Sequence, residues 1–281
     1  MRAADLDQPS DAFRRGVRVA GVPVGRRFVT AKGPTRRRAR RITSRKRRGQ
    51  FLRRPLLFGS VVFLVLVAIA GIGAHTVVDG GRPLVPASAP FRYTIVAGDT
   101  VGSVSSLFAA SPTDMASRAG GTLTPGSGLT VDAARLWRRM RSDPFGGNEL
   151  LVEQGARKVG IHPSLALAVA WQESRLQQDA RSSTGAVGIM QVEPDTSKLA
   201  SRDLGLLIDP TIATDNVMAG LFWLHSLLAS YDNDEESALA AYYEGPGNLR
   251  RRGYLVGTAE YVAHVRQIQS ALLIANPDLD A

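Results

Sequence analysis

The stretch Ala166-Leu167-Ala168-Val169-Ala170-Trp171-Gln172-Glu173-Ser174 sets the reading of this chain. It is an apolar run of helix-forming residues that ends on a carboxylate. At helical spacing Ala166, Val169, Ala170 and Glu173 (i, i+3, i+4, i+7) share one face. An unpaired carboxylate on such a face costs several kcal/mol when ionised, so it tends to keep its proton. A carboxyl held protonated near neutral pH can act as a general acid. The same spacing also fits a glutamate turned toward solvent where the core ends, and periodicity leaves both readings open.

The residues that follow narrow the choice. Glu173-Ser174 is followed by Ala180, Ser182, Gly185-Ala186-Val187-Gly188, the apolar Ile189, Met190-Gln191 and Pro194-Asp195-Thr196. Further on come Asn216, the block Ala240-Ala241-Tyr242-Tyr243-Glu244-Gly245-Pro246-Gly247 and the block Thr258-Ala259-Glu260-Tyr261-Val262. Together these resemble the signature of the soluble lytic transglycosylase family over about residues 148–275. The resemblance implies an all-α, lysozyme-like catalytic domain acting on peptidoglycan glycan strands, at the β-1,4 bond between N-acetylmuramic acid and N-acetylglucosamine. It implies Glu173 as the catalytic acid, with Ser182, Thr184, Met190, Gln191, Tyr242 and Tyr261 as substrate-binding residues. Tyr261 is placed to hold the carboxyl. The product implied is a 1,6-anhydro-N-acetylmuramic acid end, formed without water. Tyr243 departs from the family, which commonly has Asn there. Asp179, Glu193, Asp195 and Glu244 also lie within the motifs, which keeps a hydrolase of goose-lysozyme type open. A non-catalytic peptidoglycan-binding scaffold is a third reading, opposed by the intact surroundings of Glu173. Gly185 and Gly188 read as turn requirements.

Charge divides the chain. Residues 1–54 carry 18 Lys/Arg against 3 Asp/Glu, whereas the rest carries 17 against 22. There is no cysteine, and the four histidines show no metal-ligand spacing, so no cofactor or metal is expected. Residues 55–78 are 24 positions without Asp, Glu, Lys or Arg. About 20 apolar residues span a bilayer core, so one transmembrane helix is expected there. The arginines from Arg36 to Arg54 place the N-terminus in the cytoplasm and the C-terminal domains on the cell-wall side of a single-pass protein. The basic tail reads as disordered, in contact with anionic lipid of the inner leaflet. No aromatic interleaving accompanies it, and the apolar span opposes a cytoplasmic nucleic-acid binder, so no nucleic acid is expected.

Residues 79–90 are rich in Pro, Gly and Ala and read as a linker. Residues 91–132 read as a βααβ unit. Its strands lie at Phe91–Val96 and around Leu129–Val131, its first helix is capped by Asp99 or Thr100, and its second runs from Thr113 to Ala119. Tyr93-Thr94-Ile95-Val96-Ala97-Gly98-Asp99-Thr100-Val101 and Pro125-Gly126-Ser127-Gly128-Leu129 resemble the opening and ending of a LysM module, which implies binding of N-acetylglucosamine-containing glycans. Gly102 and Gly120 depart from that pattern. Residues 133–147 read as a short solvated helix and hinge, a linker to the catalytic domain at 148–275. Helices are expected at 150–158, from Pro163, at 217–230, at 235–243 ending in Gly245-Pro246-Gly247, and at 259–274.

Overall fold

The computed structural model describes residues 85–142 and 146–281. The basic tail and the apolar span expected to cross a membrane lie outside the described residues. Among the described residues no helix is long and apolar enough to cross a membrane.

The first unit has the order β1 (Pro90–Thr94), α1 (Val101–Leu107), α2 (Pro112–Ala119), β2 (Gly128–Asp132). The two strands pair antiparallel, Pro90 opposite Asp132 and Thr94 opposite Gly128. Thr100 caps α1 through a reciprocal capping box with Ser103. Asp99, the other candidate cap, turns inward instead. Tyr93, Val104, Leu107, Phe108, Met115, Leu129 and Val131 are buried together, with Tyr93 set edge-on to Phe108 at 5.1 Å between ring centroids.

The segment read as a solvated helix and hinge is corrected. Its helix, α3 (Ala133–Met140), buries Ala133, Ala134, Leu136, Trp137 and Met140, and packs on the last helix of the chain. Its four arginines dominated the sequence, but a helix needs only one apolar stripe to be buried, and Ala133, Leu136, Trp137 and Met140 supply it at i, i+3, i+4 and i+7.

Seven further helices follow: α4 (Asn148–Val159), α5 (Pro163–Ser174), α6 (Pro194–Leu204), α7 (Ala213–Ser230), α8 (Glu235–Glu244), α9 (Pro246–Arg252) and α10 (Val256–Ala275). Helix α6 and helix α9 were not expected. Pro246, read as a terminator of α8, instead opens α9 at its first turn, where a missing N–H is harmless. Helix α5 is the centre, packed between α4 and α10, while α8 rests on α7 and α10. A helix covered on every side has no reason to be amphipathic, and every residue of α5 is buried except Glu173.

The C-terminal tail belongs to this core, although the catalytic domain was read as ending at 275. Asp280 accepts from Ser164 N at 2.8 Å and from Ser164 Oγ at 2.6 Å, which satisfies free donors at the start of α5. Leu279 is buried, and Arg157 donates to its carbonyl at 2.5 Å.

Candidate active site

Because α5 is sheathed all round, the apolar face is not what distinguishes Glu173. The sheath opens at the last turn, and Glu173 is the residue left facing the opening. The chain then leaves the helix through two consecutive residues with positive φ, Arg175 at 58° and Leu176 at 65°. Such conformations cost non-glycine residues about 1 kcal/mol or more each and persist where the surroundings hold them. Leu176 is completely buried and its carbonyl accepts from Asn148 Nδ2 at 2.9 Å, which is what holds it.

The opening is a cleft of about 300 Å³. Gln172 and Glu173 from the end of α5, Gln191 to Glu193 and Thr196, Trp223 of α7, Tyr242 to Gly245 with Asn248, and Tyr261 of α10 line it. Tyr261 donates to Glu173 Oε1 at 2.7 Å. The ring of Tyr243 stacks on that of Tyr261, with centroids 4.7 Å apart and planes 22° off parallel. Tyr243 thus backs the residue that bonds to Glu173. Burial first, then the charge of Glu173, pushes the phenols of Tyr242 and Tyr261 well above the ordinary tyrosine range. Both therefore remain hydrogen-bond donors at neutral pH.

The loop after α5 is built from inside. Ser174 Oγ donates to Ile189 O at 2.8 Å. Asn216, fully buried on α7, accepts from Met190 N at 2.9 Å and donates to Val187 O at 2.7 Å and Pro210 O at 2.9 Å. Asn216 presses so closely on Gly188 that a Cβ there would lie 2.4 Å from its Nδ2, and the Gly188 φ of 76° also excludes a side chain.

The residues expected to bind substrate separate into two groups. Gln191, Tyr242 and Tyr261 line the cleft with Glu173. Met190 does not: its side chain is fully buried against Gly220, and it contributes its carbonyl, which accepts from Tyr242 OH at 2.8 Å. Ser182 and Thr184 do not line the cleft either. Their hydroxyls bond to each other at 2.9 Å, and Ser182 Oγ accepts from Ala186 N, which closes a turn. Trp223, Thr196, Glu193, Glu244 and Asn248 line the cleft without having been singled out as site residues. Thr196 and Glu244 sat inside quoted motifs, but Trp223 and Asn248 carried no local signal because their helices reach the cleft only through packing. Glu244 accepts from Thr258 Oγ1 at 2.7 Å, which ties the two late sequence blocks together.

A family model described as Transglycosylase SLT domain matches residues 151–264, the span that holds Glu173, Gln191, Tyr242 and Tyr261. Residues 151–264 are thus similar to an SLT domain. Over 146 residues it is 32% identical to the soluble lytic murein transglycosylase of Salmonella typhimurium, a match that covers 48% of this chain and 22% of that protein. It is 30% identical over 106 residues to the membrane-bound lytic murein transglycosylase F of Desulfosudis oleivorans, covering 36% of this chain and 22% of that protein. A solved structure of the lytic transglycosylase Slt from Pseudomonas aeruginosa is 28% identical, covering 46% of this chain and 24% of the other, with a TM-score of 0.41. The match thus spans about a fifth of the length of these curated relatives. The matched residues include all those that line the cleft, whereas the βααβ unit lies outside them.

Proposed function

We propose that this protein is a peptidoglycan lytic transglycosylase that cleaves the β-1,4 bond from N-acetylmuramic acid to N-acetylglucosamine and leaves a 1,6-anhydro end. One observation carries this: among the described residues Glu173 is the one position of a buried helix left uncovered, held by Tyr261 at 2.7 Å, inside the residues matched as an SLT domain. In the reaction Glu173 gives its proton to the glycosidic oxygen as the bond from C1 breaks. The C6 hydroxyl of the same muramic residue attacks C1, and the ionised Glu173 takes the C6 proton. No water is consumed, and the carboxyl ends as it began. A nucleophile tethered to the substrate has a high effective molarity, which removes the need for a second carboxylate. Tyr261 stabilises the carboxylate between the two transfers.

A hydrolase of goose-lysozyme type is the second reading, because Glu193 and Glu244 line the same cleft and either could activate a water molecule. Mass spectrometry of fragments released from purified sacculi separates the two, since anhydro ends are one water lighter than reducing ends. Reducing ends alone would make the protein a hydrolase.

The sequence also supports anchorage by residues 55–78, with the SLT domain on the cell-wall side and the basic tail against the inner leaflet. A reporter fused after Ala281 that is active in the cytoplasm would overturn this. The resemblance of residues 91–132 to a LysM module supports a glycan contact there, and loss of sacculus binding when that surface is altered is its test.

A further inference from the structure

The βααβ unit was read as a separate module, joined by a linker to a self-sufficient catalytic domain. Its contacts run to the two helices that assemble the acid. Trp171 Nε1, two residues before Glu173, donates to Leu107 O at 2.8 Å, at the end of α1. Arg175, two residues after Glu173, is buried, and its Nε lies 3.4 Å from Ser106 Oγ. The same guanidinium donates to the carbonyls of Trp171 and, at 3.3 Å, of Gln172, while covering the Trp171 ring at 5.6 Å. The other contact falls on α10, the helix of Tyr261. One turn on, His264 Nε2 lies 3.1 Å from Asp99 Oδ1 in a buried pair. Gln267 bonds to both backbone groups of Thr94 on β1, accepting from N at 2.6 Å and donating to O at 2.9 Å.

We propose that the βααβ unit is a working part of the catalytic centre, and that Arg175 is the positioning residue through which it holds the Glu173 end of α5 against the Tyr261 helix. Arg175 is buried and does not line the cleft. Its guanidinium adds a second donor to the Trp171 carbonyl, which already accepts from Arg175 N, reaches the Gln172 carbonyl in the last turn, and sets a positive charge where the helix dipole is negative. It also acts on Glu173 through its charge: burial pulls the guanidinium down to about 10 while the carboxylate of Glu173 works to hold it protonated. By reciprocity the Arg175 cation favours the ionised form of Glu173. The other titratable groups around Glu173 are Tyr261 on α10, Tyr242, Tyr243 and Glu244 on α8, and Glu193 in the loop before α6. The carboxylates of Glu193 and Glu244 oppose Arg175 in this respect.

The inference rests on the transglycosylase reading for its activity arm, so the test has a second arm that needs no turnover. In the full chain, Arg175→Met should lower kcat about 10- to 100-fold, the range that a small misplacement of a catalytic group produces, with KM little changed. Because a cation has been removed, the carboxyl of Glu173 should hold its proton to higher pH, and the alkaline limb of the rate profile should move up with it. Arg175→Lys keeps the charge but loses the planar fork, so it should restore the limb while recovering only part of kcat. The carboxyl itself is titrated by infrared difference between each variant and the same variant carrying Glu173→Gln. If the wild type proves inactive on every peptidoglycan, the functional reading fails, and the infrared titration still decides this one. A folded Arg175→Met protein with the wild-type rate, or with the wild-type carboxyl titration, would overturn the proposal. Should that variant not fold, an unaltered kcat in Arg175→Lys would do the same.

Discussion

Two carboxylate–tyrosine pairs lie close together along α10, and they have opposite fates. At the seam between the two units, Tyr93 donates to Asp99 at 2.5 Å; in the cleft, Tyr261 donates to Glu173 at 2.7 Å. Asp99 also accepts from Val96 N at 2.8 Å and faces Ser103 at 3.4 Å and His264 at 3.1 Å, and its side chain is 2% exposed. Burial alone would push its carboxyl up, but the hydrogen bonds from His264 and Tyr93 and the charge of His264 outweigh that, and the net direction is down. Asp99 is thus a fixed anion that joins two units. Glu173 opens instead onto the cleft. The same pairing makes a joint where donors enclose the carboxylate, and leaves a carboxyl facing open space where one side is uncovered, as the proposed proton donor requires.

The largest effect should come from Glu173→Gln, which removes the proton donor but keeps the shape. General acid catalysis contributes about 10²–10⁴-fold, so anhydro-product formation should fall at least that far, while sacculus binding and thermal unfolding stay near wild type. Normal turnover in this variant would break the comparison at its catalytic end. Next comes Tyr261→Phe, which loses one hydrogen bond to a charged group. At about 1.5–3 kcal/mol for such a bond, kcat should fall roughly 10- to 100-fold, with the alkaline limb moving up because the ionised carboxylate has lost a donor.

Asp99→Asn should reverse the pattern. It leaves buried donors poorly matched, so urea denaturation should show a loss of about 1–3 kcal/mol. The pH dependence sharpens the point. The Asp99 carboxyl is held below its ordinary value in the folded protein, so its stabilisation is fully present above the ordinary carboxylate range and disappears as pH falls through the folded value. The difference in urea midpoint between wild type and Asp99→Asn should therefore shrink as the solution is acidified from pH 7. A constant difference would mean that the pair is held by shape alone. The smallest effect is expected for Gln267→Ala, where exposed bonds to Thr94 are lost: about 0.5–1.5 kcal/mol in the same titration.

Most helices of the helical unit, the βααβ order and the place of Glu173 at the end of an apolar helix were legible along the chain, because each has a local signature. Pro163 opens a helix, Thr100 caps one, and Glu-Ser with the glycine-rich loop marks where the helix of Glu173 ends. The misreadings share a cause. Met190 and Ser182 stand in the right motif, but one side chain turns into the core beneath Gly220 and the other closes a turn, and direction is not written in spacing. The arginines of α3 hid a buried stripe. The Asp280 cap on α5 joins residues 116 positions apart, and no window on the sequence contains both.

By itself the sequence determined that Glu173 ends an apolar helix within a transglycosylase-like signature, since helix period, caps and turn glycines act over a few residues. Only the tertiary structure decided what surrounds that glutamate: Tyr261 from 88 positions away, Tyr243 stacked behind it, and the first unit holding both helices through Arg175, Trp171 and His264. The physical reason is range. A carboxyl's proton affinity and aim depend on charges and donors within a few ångströms, and only packing brings them there from distant parts of the chain.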